Sequence, residues 1–287
     1  MNYFLLFLTA LFIIFQKVCQ DRYNAKRDSG VFFFSGMISF FAMCFFMAVN
    51  RNWAWSGELV LPAIAFGLSY AAATVFVVLA IKCGSLAKTT LITSYSLLVP
   101  AFAGLIVLRE SISGFMIAGI VLLVLSLWLT NYRKTEPDAP KEKVTLKWII
   151  FVLLAFVGNG MCSTVQKLTP HYLGVDVNQN LYMIAALGIS SVTLITASFL
   201  TKETELKVTL RIGSPLALFC GIFNGAVNYL AIYLNQFIPA SVMFPVLSAG
   251  EIILVVPYAL LIRREKFTVV QWAGFGVGVA SVILLNL

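Results

Sequence analysis

Ten apolar stretches, each roughly 17–23 residues long and joined by short polar connections, constrain this chain more than any other feature. A stretch of that length crosses a bilayer core as an α-helix. In lipid no water can satisfy the backbone, so only helices and closed barrels can span. The spans read as 3–19, 30–49, 59–81, 86–108, 112–131, 147–168, 178–200, 213–235, 240–262 and 268–286. The chain is 60% hydrophobic and 11% charged, whereas soluble domains are about a quarter charged. An all-α integral membrane protein with ten transmembrane helices is expected, in the cell (plasma) membrane.

The opening MNYFLLFLTALFIIFQKVCQ lacks the basic start and small-residue cleavage site of a signal peptide, so it reads as the first span. The five cysteines are scattered through or beside apolar stretches without CxxC spacing, so neither a disulfide framework nor a metal site is expected. No cofactor is expected either. The net charge of +8 invites a nucleic-acid reading, but its distribution argues against one. Sixteen of the 20 Lys/Arg fall in or beside the connections 1–2, 3–4, 5–6, 7–8 and 9–10, and only Arg51 and Arg109 fall in the others. Such asymmetry marks the cytoplasmic side, which places both termini outside and leaves the basic loops against anionic lipid. Trp53, Trp55, Trp128, Trp148 and Trp272 lie near span ends, as interfacial aromatic belts do.

The chain also repeats itself. LRESISGFMIAGIVLLVLSLWL from Leu108 aligns with RREKFTVVQWAGFGVGVASVIL from Arg263 at a constant offset of 155 residues. The offset pairs Arg109 with Arg264, Glu110 with Glu265, Gly119 with Gly274 and Ser126 with Ser281. Gln16-Lys17 pairs with Gln166-Lys167 at an offset of 150, each pair placed in the last turn of the first helix of its half. The halves are residues 1–131 and 147–287, joined by a polar linker over 132–146. Five helices is an odd number, so the second half enters the membrane from the opposite face. The result is a 5+5 inverted repeat, an arrangement of secondary transporters with a site near the midplane.

These features resemble the EamA-type branch of the drug/metabolite transporter superfamily. The resemblance rests on ten helices, the 5+5 repeat, a lysine late in the first helix, and a basic/Glu turn before a glycine-bearing fifth and tenth helix. It covers essentially the whole chain and implies a carrier of small metabolites, several such carriers resembling proton-coupled exporters. It also implies cytoplasmic termini, the reverse of what the charge count gives.

Glu251 is the one acid of twelve placed mid-span. An ionised carboxylate there costs about 2.5–3.5 kcal/mol on insertion scales, so intramembrane acids read first as functional. It fits a proton-coupling acid, a counter-ion for a cationic substrate, or a protonated group bonded to a neighbouring helix. Pro245 and Pro257 flank it and Pro100 interrupts the fourth span. Asn224 and Asn228 share a helix face at i, i+4, with Tyr229 beside them, as a cavity wall or as helix glue. Tyr70 and Thr74 occupy the matching places at an offset of 154, and Ser94 and Tyr95 belong to a polar cluster in the fourth span. Gln16, Lys17, Gln166 and Lys167 complete the candidate substrate or coupling set. The lysines either snorkel to the interface or face the cavity. Gly274 and Gly278 form a GxxxG pair that packs within the bundle or joins two copies as a homodimer.

No HExxH, P-loop or intramembrane aspartate pair is present in the sequence, and its single histidine, His171, falls at a connection, so enzyme chemistry is not expected. The sequence reads as a secondary active transporter exporting a small organic metabolite such as an amino acid, by alternating access and with protons as coupling ion. An organic-cation, multidrug or choline-like carrier using Glu251 as counter-ion is the alternative within the class. A non-transporting membrane sensor or assembly subunit is the alternative outside it.

Overall fold

The computed structural model describes residues 2–24, 30–83, 89, 92–93, 95–109, 113–130, 145–174, 178–203, 206–247, 250, 254 and 268–285. The described residues are all-helical, without a strand. The helices are α1 (Asn2–Asn24), α2 (Val31–Val49), α3 (Val60–Cys83), α4 (Leu98–Ile106), α5 (Gly114–Thr130), α6 (Leu146–Leu173), α7 (Gln179–Leu200), α8 (Ser214–Leu234), α9 (240–247) and α10 (Val269–Leu285). Five stretches, built on α2, α3, α6, α7 and α8, are long and apolar enough to cross a membrane, and α1, α5 and α10 contain shorter apolar helices. This is an integral, multi-pass membrane protein.

Two of the expected spans end later than their apolar stretches. Helix α1 runs to Asn24 and α6 to Leu173, with Pro170 and His171 inside it. Gln16, Lys17, Gln166 and Lys167 therefore stand in helix interiors, not in last turns. The reason is that hydropathy marks where lipid ends, whereas a helix continues as long as its backbone is bonded. The fourth span is interrupted: a 3-10 turn at Tyr95–Leu97 leads into α4, whose third residue is Pro100. Proline is tolerated in a first helical turn, where its missing N–H has no intrahelical acceptor.

The chain divides into two compact units, each drawing on both ends of the sequence. Unit 1 holds residues 1–75 and 161–237; unit 2 holds 76–160 and 238–287. Helices α3 and α6 thus contribute one part to each.

In unit 1, α2 packs against both α7 and α8, and α1 packs against α8. Its core joins Phe46, Leu59, Phe66, Tyr182, Met183 and Leu187, and a second cluster forms around Tyr23, Phe34, Ile38 and Cys220. Small residues set the spacing. A Cβ on Gly221 would stand 2.4 Å from Phe41 and 2.9 Å from the Ile38 carbonyl, so α8 touches α2 nearly backbone to backbone. Glycine is also required at Gly30, whose φ of 79° is left-handed, just ahead of α2. There the Glu203 carboxylate caps the helix, accepting from Phe32 N at 2.9 Å and Phe33 N at 3.0 Å. A negative charge at a helix N-terminus meets the positive end of its dipole.

In unit 2, α5 and α10 pair closely. Ser126 Oγ donates to the Gly274 carbonyl at 2.7 Å, and Ser281 Oγ donates to the Gly119 carbonyl at 2.9 Å. These two bonds exchange places under the 155-residue offset that aligns Ser126 with Ser281 and Gly119 with Gly274. A similar exchange occurs in unit 1. The space above Gly36 is taken by Ile195 and that above Gly188 by Met43, two pairs related by an offset of 152. Gly274 and Gly278 both face α5, where added Cβ atoms would meet Thr130 and Ser126 at 2.7 Å. The GxxxG pair is therefore used within the chain.

Trp148 departs from the expected aromatic belt. It is buried in unit 2 beside Ala80 and Val152, and its Nε1 donates to Thr89 Oγ1 at 3.0 Å. The other four tryptophans are exposed, as side chains at a lipid interface are.

Candidate functional site

Unit 1 carries a continuous chain of amide groups across α1, α3, α6 and α8. Asn224 stands at its centre on α8 and is 5% exposed. Its Nδ2 donates to Gln16 Oε1 and to Tyr70 OH, both at 3.3 Å. One turn on, Asn228 Nδ2 donates to the Asn224 backbone carbonyl at 2.9 Å and to its Oδ1 at 3.2 Å. Gln166 Nε2 then donates to Asn228 Oδ1 at 3.2 Å. Helical spacing accounts for the α8 part, since residues four apart lie on one face. Burying polar groups in a membrane protein is costly unless they are bonded, and here they bond one another. Such a chain offers both donors and acceptors, so a polar solute could exchange into it without leaving an orphan group.

Cys220 closes one end of the chain, with its Sγ 3.6 Å from the Gln16 carbonyl. At the other end, Lys167 is 9% exposed, and its ammonium donates to the Asn235 carbonyl at 3.0 Å. Asn235 follows the last residue of α8, where unpaired carbonyls and the helix dipole favour a cation. Lys167 is thus buried against the end of α8.

The remaining sequence candidates are placed less uniformly. Tyr229 is 40% exposed and stands edge-on to Phe45, with ring centroids 6.4 Å apart. Thr74 bonds back to the Tyr70 carbonyl at 3.0 Å, a bond internal to its own helix. Tyr95 lies in unit 2, where its hydroxyl donates to the Val124 carbonyl at 3.1 Å. Glu251 and Ser94 lie outside the described residues, as does the side chain of Lys17.

Sequence reasoning missed Asn159. It sits within α6 in the run FVGNGM, and its Nδ2 donates to Ser96 Oγ at 2.6 Å. Ser96 in turn donates to the Thr93 carbonyl at 2.6 Å, giving unit 2 a polar pair at the 3-10 turn that interrupts the fourth span. An asparagine inside an apolar run was the available signal, the same one that marked Asn224. Among the described residues, no group of three or more His, Cys, Asp or Glu could hold a metal ion.

Residues 143–287, half of the chain, match the model of the EamA-like transporter family. No curated protein matches the sequence. Of solved structures, 28 chains match. One of them, described as "Crystal structure of protein", aligns over 100% of this chain and 98% of its own, with a TM-score of 0.75 and 11% sequence identity. At that identity the likeness speaks for the fold alone.

Proposed function

The chain belongs to the EamA-like transporter family, and from that premise we propose that it is a secondary active carrier of a small organic metabolite such as an amino acid. The observation that carries this reading is the amide chain Gln16–Asn224–Asn228–Gln166 with Tyr70 beside it, held inside unit 1 of a membrane protein. Its mix of donors and acceptors suits a zwitterionic or neutral polar solute.

The carrier works by alternating access between two five-helix halves, residues 1–131 and 147–287, inverted relative to one another across the membrane. The exchanged bonds of Ser126 and Ser281 support that relation, because a two-fold arrangement makes residue i meet residue j′ and residue j meet i′. The family match over 143–287 falls on the second of these halves. Protons supply the driving force through Glu251, and the direction is export across the plasma membrane. An acid in the middle of an apolar span reads first as a functional group, which is what supports this role for Glu251.

The test is a thermal-shift screen of the purified protein against amino acids, nucleosides, sugars and quaternary amines, with Asn224→Leu in parallel. A ligand at about 100 times its Kd adds roughly 2.7 kcal/mol of stability to the state that binds it. Stabilisation by amino acids that disappears in Asn224→Leu is expected. Stabilisation by quaternary amines alone would transfer the reading to an organic-cation carrier.

A further inference from the structure

Arg51 has no topological reason to be where it is. It follows α2 in the connection to α3, on the side that carries only two of the chain's 20 Lys/Arg. Its side chain is exposed, and among the described residues no ion pair is formed with it. It lines an open groove of about 680 Å³ in unit 1, together with Asn50, Asn52, Asn178, Asn180 and Tyr229.

Three of these asparagines are already committed to one another. Asn50 Nδ2 donates to the Asn52 carbonyl at 2.7 Å, and Asn178 Nδ2 donates to the same carbonyl at 2.6 Å and to Asn50 Oδ1 at 3.2 Å. Asn52 Oδ1 accepts from Ala54 N at 3.0 Å. Asn178 Oδ1 caps α7, accepting from Asn180 N at 3.1 Å and Leu181 N at 3.2 Å. The frame therefore joins the end of α2 to the start of α7, and its side-chain acceptors are already in use. What it presents to a solute is the donor-only Arg51 guanidinium, with the Asn180 amide and the Tyr229 hydroxyl each able to donate, beside the positive end of α7.

We propose that this groove is a recognition site for the carboxylate of a small soluble solute, with Arg51 as its charge partner and Asn180 and Tyr229 as hydrogen-bonding neighbours. Guanidinium matches a carboxylate with two parallel N–H···O bonds, which a single ammonium does not. Only Ala48 and Val49 among the lining residues are aliphatic, so there is little wall for an acyl chain, and a soluble solute fits better than a lipid. That the bound solute is also the one carried rests on the transport reading; the binding does not, and a binding measurement keeps the two apart.

Succinate and its uncharged diamide, succinamide, are titrated calorimetrically into the full-length protein in neutral detergent at low ionic strength. Saturable binding of succinate and none of succinamide is expected, weakened about tenfold or more in Arg51→Gln and less in Arg51→Lys. Asn180→Ala should weaken it several-fold. No succinate binding by the wild type, or binding unchanged in Arg51→Gln, would overturn the proposal. Native mass spectrometry of the same proteins supplies a second arm. Phosphatidylglycerol retained through Arg51, with no succinate bound, would make the groove a lipid headgroup site and equally overturn it.

Discussion

Asn224 is bonded to groups from two other helices, Gln16 on α1 and Tyr70 on α3, besides its own helical neighbour Asn228. Replacing it with leucine would leave those groups facing an apolar side chain of similar size. Interhelical bonds in membrane proteins average about 0.6 kcal/mol, and orphaned partners add to the loss. Asn224→Leu should therefore lower unfolding stability by about 1–2 kcal/mol, read by thermal unfolding in detergent, while removing solute-dependent stabilisation altogether. Much of this site was visible in the sequence, because Asn224, Asn228 and Tyr70 interrupt apolar runs. Their partnership with Gln16 was not, since it joins residues 208 apart in the chain. Asn159 also interrupts an apolar run, but its partner Ser96 lies 63 residues away in the chain, so the sequence shows no polar pair there. Asn178, at the start of the seventh expected span, showed nothing of its bonds to Asn50 and Asn52, which lie 128 and 126 residues away in the chain.

The pairing of α5 with α10 shows how a repeat can be energetically balanced between elements. Ser126 and Ser281 make the same bond from opposite sides. Alanine at either position should cost a similar amount, about 0.6 kcal/mol each, and the double substitution about their sum. Unequal costs would indicate that the two bonds are not equivalent. The cap on α2 offers a second check. Glu203→Gln keeps one acceptor oxygen for the Phe32 and Phe33 amides, puts an NH2 donor in place of the other and removes the charge, so stability should fall by about 0.5–2 kcal/mol, the charge part of it less at high salt. Element identity was largely legible because apolar length dictates helix in a bilayer. Element ends were less so: α1 and α6 continue through polar residues, which says nothing to a hydropathy reading. The turn at Tyr95–Leu97 escaped notice although Pro100 hinted at it, because a proline fixes where a helix can begin only once its acceptors are known.

At the scale of the whole molecule, the two compact units do not follow the two sequence halves. Each takes its helices from both, with α2 of the first half against α7 of the second in unit 1, and α5 against α10 in unit 2. The 155-residue offset in the sequence pairs α5 with α10, whereas the interleaving of the units did not show in it. The charge count predicts an orientation. A reporter fused after Leu287 should read as external, since the basic connections lie on the other side. A cytoplasmic signal would instead match the topology that the family resemblance implies. Central to the proposal is proton-linked movement of an amino-acid-like solute, with Glu251 carrying the proton. Its most direct measurement is uptake of labelled amino acids into proteoliposomes of the purified protein under an imposed pH gradient, with Glu251→Gln alongside. Gradient-driven accumulation by the wild type is predicted, with Glu251→Gln retaining solute exchange but losing the response to pH. Flux that ignores the gradient, or that Glu251→Gln leaves equally coupled, would contradict it.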